Sequence, residues 1–342
     1  MSSHILNIVS IFGFLAFGTF VLASVSLSSS SSSRSFVIDY PNNQFLKDGN
    51  PFRYISGTFH YFRVSADQWT DRLIRLRAMG ANTVQTYLMW NLHQPYRHRA
   101  LNFADHLNFV RFIRIAQQLG LNVILRLGPY ADAEQDLGGL PAWLLKNPRA
   151  YLRSSKDKNY LEAVEQWYRI VLPMVRPVLY KNGGPVIMVQ IENEYGSYGH
   201  DMDYKLWLRN LTWELLGGKD SVVYMTTDGG ADYFLKGGVI PEVYPTVDFG
   251  PTDNISKPFG AQRKYAPHGP LANSEFYTGW FEYWGKNGTA GEHYQYGNIE
   301  GLLKCTQLMY EAGASFNFYT AIGGTNFGYQ AGAEYYRGRV HK

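Results

Sequence analysis

From about residue 53 onward, short apolar runs alternate with longer stretches whose apolar residues recur every three or four positions. The runs 53–61, 82–90, 121–127, 185–191, 222–227, 246–249, 271–274 and 314–318 have the length and composition of strands. Between them the periodicity predicts helices. One follows Ser65-Ala-Asp-Gln68, a capping-box pattern, and carries Trp69, Leu73, Leu76 and Met79 on one face. Others span about 104–119, stopping at Gly120, and 161–179. Runs such as NVILRLG and PVIMVQI are nearly all apolar, as strands are when both faces are covered. Eight such strands alternating with helices predict an α/β fold, a (β/α)8 TIM barrel, rather than an open doubly wound sheet. No glycine fingerprint opens the first repeat, which also disfavours a dinucleotide fold.

With 45% apolar residues among 342, the chain can bury a large core without staples. Its net charge of +4 comes from interspersed charges with no long basic block, which argues against nucleic acid as a partner. Aromatics make up 16%, and several, Trp280, Tyr283 and Trp284 among them, fall in apparent loops. Their faces suit sugar rings, although simple packing is the plainer explanation for any one of them. The stretch 8–23 is almost unbroken apolar and precedes a serine run, the pattern of a signal peptide over 1–26 with a linker over 27–35. The leading segment lacks Lys and Arg, so an uncleaved anchor is the alternative; no later segment is apolar enough to span a membrane. The sequons at Asn210, Asn254 and Asn287 agree with a lumenal or extracellular address. Cys305 is the only cysteine and reads as a buried small apolar residue on a helix. Without metal-ligand spacing or a phosphate loop, neither a metal nor an organic cofactor is expected.

In such barrels the active site lies at the C-terminal ends of the strands. Those ends supply His60, Tyr87, Trp90, Asn91, Arg126, Asp132, Glu134, Asn193, Glu194, Asp228, Glu275, Tyr277 and Tyr319, and His93 could lie near His60. The carboxylate and aromatic bias suggests glycoside hydrolysis, in which one carboxyl group protonates the leaving oxygen and a second attacks the anomeric carbon. Glu194 follows the fourth strand and Glu275 the seventh, each in a polar-aromatic setting. Glu192 and Glu194 share one parity of side-chain alternation, so the choice between them rests on Asn193, which is placed to bind a sugar hydroxyl. Glu192 is then a supporting group.

At these residues the sequence resembles the β-galactosidases of glycoside hydrolase family 35. The stretches that carry the resemblance are FRYISGTFHYFRV, NTVQTYLMWNLHQP, GPYADAEQDLGGLPAWLL, NGGPVIMVQIENEYGSY, TTDGG, TVDFG, NSEFYTGW and IGGTNFGY, in order from about Phe52 to Tyr329. The resemblance implies a catalytic domain over 36–342 that removes terminal β-galactose with retention and needs no cofactor. It implies Glu194 as acid/base and Glu275 as nucleophile. Tyr87, Ala133, Glu134 and Asn193 would hold the galactose, with Tyr319 near the nucleophile. Where the family has ICAEWE this chain has Ala131-Asp-Ala-Glu-Gln-Asp136, and Gln330 replaces a further Trp. These changes leave open a shifted β-hexoside specificity. Family members continue past the barrel with a closing tyrosine segment and β-sandwich domains, so the chain is expected to be truncated. A non-catalytic galactose-binding homologue is therefore a second reading. Homo-oligomers and the choice between lysosomal and secreted delivery stay open.

Overall fold

The computed structural model describes residues 34–279, 299–336 and 339–341. The expected leader 1–26, linker residues 27–33, the Asn287 sequon and Trp280, Tyr283 and Trp284 lie outside the described residues.

The described residues begin with an antiparallel sheet that the apolar pattern does not announce: β1 (Phe36–Asp39), β2 (Gln44–Lys47) and β3 (Asn50–Phe52). Eight parallel strands follow: β4 (Ile55–Phe59), β5 (Thr83–Tyr87), β6 (Asn122–Arg126), β7 (Val186–Gln190), β8 (Val223–Gly229), β9 (Tyr244–Asp248), β10 (Ala272–Tyr277) and β11 (Ser315–Ile322). They close in the order β10-β11-β4-β5-β6-β7-β8-β9, so the expected barrel is present with all eight strands. Every residue of β6 and β7 is buried, as their apolar runs require. Each such aliphatic side chain withdrawn from water contributes about 1.5–3 kcal/mol.

Two apolar layers hold the barrel. Outside it, helices at Trp69–Ala78, Phe109–Gln118, Lys158–Val175 and Met202–Leu216 lay their buried faces against the strands. At the end where the strands begin, Phe36 and Phe45 of the small sheet join Tyr54, Ile124, Met188 and Met225 in a separate cluster that caps the barrel. Between these layers the interior carries a polar knot. Asn317 Nδ2 donates to Thr58 Oγ1 (2.8 Å) and to the Ser274 carbonyl (3.1 Å), and its Oδ1 meets Ser56 Oγ. Gln85 Nε2 donates to the same Ser274 carbonyl (3.1 Å). Four strands, β4, β5, β10 and β11, are thereby tied at one level.

Local signals fare unevenly. Gly120 takes φ +74°, the left-handed stop expected of it. The preceding helix starts at Phe109 rather than 104, because Asn108 Oδ1 caps it through Arg111 N and 105–107 form a separate turn. The capping box at 65–68 is not made: Gln68 N donates to the Ser65 carbonyl in a turn, and the helix starts without a side-chain cap. That helix ends at Ala78, so Met79 falls beyond the buried stripe and is exposed. The helix of 161–179 spans Lys158–Val175, its first turn capped by the Asp157 carboxylate. Cys305 is buried within the helix Ile299–Glu311, as expected.

Candidate active site

β7 ends at Gln190, and the chain then leaves strand geometry: Glu192 and Glu194 have φ +61° and +42°. Strand alternation therefore does not govern where these side chains point, and hydrogen bonding separates them instead. Glu192 is buried and fully engaged. It forms an ion pair with Arg153 (2.6 Å), accepts from Tyr204 Oη (2.6 Å) and caps the backbone N–H of Asn193 (2.9 Å). Glu194 stays half-buried, its backbone N–H bound to the Thr227 carbonyl (3.1 Å) and its Oε2 reached by Asn193 Nδ2 (3.4 Å). Burial first, and then the negative charges of Asp248, Glu275 and Asp132, hold its carboxyl well above the usual range.

Glu275 sits on β10, with β8 and β9 between its strand and β7. It is buried as the anionic half of an ion pair with Arg126, which is itself buried on β6. Tyr87 Oη, from the end of β5, donates to the same Glu275 oxygen (2.7 Å). Arg126 also reaches Asn193 Oδ1, which accepts from Gln190 Nε2 as well (3.0 Å). One guanidinium thus connects the nucleophile candidate to the residue preceding the acid candidate. Arg126 stands among the strand-end residues of the sequence reading, but this bridging position is evident only in the fold.

Glu134 projects from a loop in which Asp132, Ala133 and Glu134 are all left-handed, with φ +59°, +54° and +50°. Such a run costs L-residues energy and persists only where surroundings enforce it. Arg63, buried below the loop, supplies that enforcement by donating to the Ala133 carbonyl, to Asn326 Oδ1 (2.8 Å) and to His60 Nδ1. Tyr319 Oη donates to Glu134 Oε2 (3.0 Å), so Tyr319 engages Glu134 by hydrogen bonding. Burial and the neighbouring Asp132 push Glu134 up to about 7, against the pull of Arg63.

The strand-end rule also fits Asp248, the last residue of β9, although the sequence reading passes over it. It is buried and accepts from Tyr277 Oη (2.7 Å) and Thr227 Oγ1 (3.2 Å). Burial, with the charge of Glu275, pushes it up to about 7. Asp228 lies deeper, binding Gly196 N (2.8 Å) just past Glu194. His60 is buried behind Tyr87 and Tyr319, its pKa lowered by burial and by Arg63. His93 is a core residue, not a site group: it bonds Tyr61 Oη (2.9 Å) and the Asn102 carbonyl (2.7 Å), and burial lowers its pKa to about 4. Trp90 likewise packs on Trp143 and Trp167 in the core. Asn210, on the helix Met202–Leu216, and Asn254, in a loop, are both exposed.

A closed parallel barrel with carboxyl groups gathered at the strand ends has the form of a glycoside hydrolase barrel. Over residues 44–341 the chain matches the family described as Glycosyl hydrolases family 35, and it belongs to that family. It is 48% identical over 303 residues to the beta-galactosidase of Felis catus, covering 88% of this chain and 44% of that protein. With the Homo sapiens beta-galactosidase it shares 49% identity over 301 residues, 88% of this chain and 43% of the other. A beta-galactosidase-1-like protein of Mus musculus is 46% identical over 309 residues, covering 90% and 46%. The chain therefore spans less than half the length of these relatives. Among solved structures, an exo-beta-1,4-mannosidase from Opitutaceae bacterium strain TAV5 superposes with TM-score 0.56 at 14% identity, covering 79% of this chain and 52% of that one. A beta-glucanase from Saccharophagus degradans gives 0.51 at 14% identity, covering 87% and 88%. At such identities these two support the barrel fold alone.

Proposed function

We propose that this domain is the catalytic barrel of a retaining exo-β-galactosidase, with Glu194 as acid/base and Glu275 as nucleophile. The observation that carries this reading is the contrast between the two glutamates. One is an ion-paired carboxylate fixed by Arg126 and Tyr87, and the other is a half-buried carboxyl whose pKa burial and the neighbouring carboxylates hold well above the usual range. Retaining hydrolysis asks for that division of labour. The proton of Glu194 passes to the glycosidic oxygen as the bond from that oxygen to the anomeric carbon breaks. A Glu275 oxygen bonds the same carbon from the opposite face. Water then displaces Glu275 and gives its proton to Glu194, restoring both groups.

Glu134, Asn193, Tyr87, Tyr319 and the backbone at Ala133 surround the place where the galactose would lie, and the beta-galactosidases among the relatives support that sugar. No cofactor is required by this scheme. A β-galactoside is thus the proposed substrate, in the secretory pathway, either the lysosomal lumen or outside the cell. Asn210 and Asn254 are proposed glycan acceptors, Asn254 the more open because the Thr212 hydroxyl of the Asn210 sequon is buried and donates to the Leu208 carbonyl (2.8 Å).

A 2-deoxy-2-fluoro β-galactoside should label the folded domain covalently at Glu275, and Glu275→Gln should abolish labelling. A folded wild-type domain that takes up no label would sink this reading and favour a non-catalytic galactose binder. A shifted β-hexoside preference has one observation in its favour. The two departures from the family pattern meet beside Glu134, where Asp136 N donates to the Gln330 carbonyl (2.9 Å) and Gln135 bridges to Ala331. Relative kcat/KM over a panel of chromogenic β-hexosides decides between galactose and another sugar.

A further inference from the structure

We propose that Asp248 is a positioning residue for the catalytic proton: its buried carboxyl, anchored to the strands β8 and β10 on either side of it, keeps that proton on Glu194. The inference rests on the proposed reading of Glu194 as acid/base and goes one step beyond it.

Asp248 ends β9, in parallel register with Glu275 on β10. Its two oxygens are fixed separately, Oδ1 by Tyr277 Oη from β10 (2.7 Å) and Oδ2 by Thr227 Oγ1 from β8 (3.2 Å). The carbonyl of that same Thr227 receives the backbone N–H of Glu194 (3.1 Å). Thr227 is therefore a two-ended brace, holding the Asp248 side chain by its hydroxyl and the Glu194 backbone by its carbonyl. Among the described residues no cation forms an ion pair with Asp248, whereas Glu275 pairs with Arg126.

Among the described residues the groups facing this carboxyl are Glu275 and Tyr277 from β10, Arg126 from β6, Thr227 and Asp228 from β8, and Glu194 beyond β7. Around Glu194 stand Asp248, Glu275 and Asp132, with Arg126 the opposing cation and Tyr130 close by. Among these charges Asp248 contributes most to raising Glu194, more than the nucleophile does. Like charges held close in a buried site cannot both ionise cheaply, so one of them keeps its proton. Glu194 and Asp248 are like charges in one buried site, and the hydrogen bonds from Tyr277 and Thr227 favour placing the charge on Asp248. The proton that remains sits on Glu194, where the leaving group needs it.

The test is the pH dependence of kcat/KM for Asp248→Asn, compared with wild type on two aryl β-galactosides. One has a poor leaving group that needs the acid; the other, 2,4-dinitrophenyl, departs without it. The alkaline limb for the poor leaving group should move down by about one pH unit, so that kcat/KM beyond the limb drops roughly tenfold. The dinitrophenyl substrate should show little change. Tyr277→Phe, which removes one hydrogen bond from the charged Asp248, should move the limb in the same direction by less, and carries the test should the first variant fail to fold. An unmoved limb in the folded variant overturns the proposal, as does an equal loss on both substrates at every pH. A wild type that neither turns over nor takes the fluoro label fails the underlying glycosidase reading instead, so the two failures are distinguishable.

Discussion

At the residue scale the site is organised by Arg126. Tyr87→Phe removes one charge-assisted hydrogen bond to Glu275 and leaves the ion pair intact. Such a bond contributes about 1.5–3 kcal/mol, so kcat/KM should fall roughly tenfold to a hundredfold, with the urea midpoint nearly unchanged. Arg126→Met is expected to behave differently. It strands a buried carboxylate, an error that costs about 3–5 kcal/mol, and should appear as a large drop in the urea unfolding free energy as well as in rate. Glu194 and Glu275 stand out in the sequence because each lies at or just past the end of an apolar run. Asp248 obeys the same rule, but its partners Tyr277 and Thr227 come from other strands and only the fold brings them to it. Arg63 was not legible as a support for Ala133 and Asn326, because the loops it joins lie far apart along the chain.

At the scale of elements, the barrel strands were readable and their decorations were not. Strands buried on both faces leave long apolar runs, whereas β1 to β3 are three or four residues each and only partly buried. The unmade capping box shows the converse, a sequence pattern for which the fold finds no use. The loop bearing Glu134 depends on a residue that no periodicity marks. Gly138 has φ +60°, and a methyl group there would come within 2.0 Å of the Tyr130 ring. Gly138→Ala should therefore cost about 1–3 kcal/mol in thermal or urea unfolding and raise KM, because the displaced loop carries Glu134. A KM equal to that of wild type would show that the loop tolerates the shift.

Across the whole molecule, the buried carboxyls make a statement about pH. Glu134 and Asp248 are both pushed up to about 7 in the folded chain, while the unfolded chain titrates them near their ordinary values of about 4. Between those limits the folded state holds protons that the unfolded state has released. Their contribution to stability is accordingly full under acid conditions and is lost as pH rises through about 7. Carboxylates that are lowered instead, such as Asp201 with its bonds to Ser155 and Tyr204, lose their contribution only when the pH falls below about 4. The thermal midpoint should thus be higher near pH 5 than near pH 8, by roughly a few degrees, and Asp248→Asn should shrink the difference. A midpoint that rises steadily towards pH 8 would contradict the assignment. An acidic working compartment would suit such a profile.

The polar knot inside the barrel bears on how the chain reaches this state. Asn317 and Ser56, which meet across the β4–β11 seam, are 261 positions apart in sequence, whereas the other seven strand pairs join consecutive strands. The seam must wait until nearly all of the barrel has been synthesised. Until then Ser56 and Thr58 face a half-built interior without Asn317, the partner they are shaped for. Growth from β4 to β10 can proceed stepwise, but closure is one late, long-range event, slow by topology and exposed to misassembly while it is pending. A nascent barrel of this kind stands to gain from being shielded during that interval, and the chemistry at its mouth is assembled only when the seam shuts.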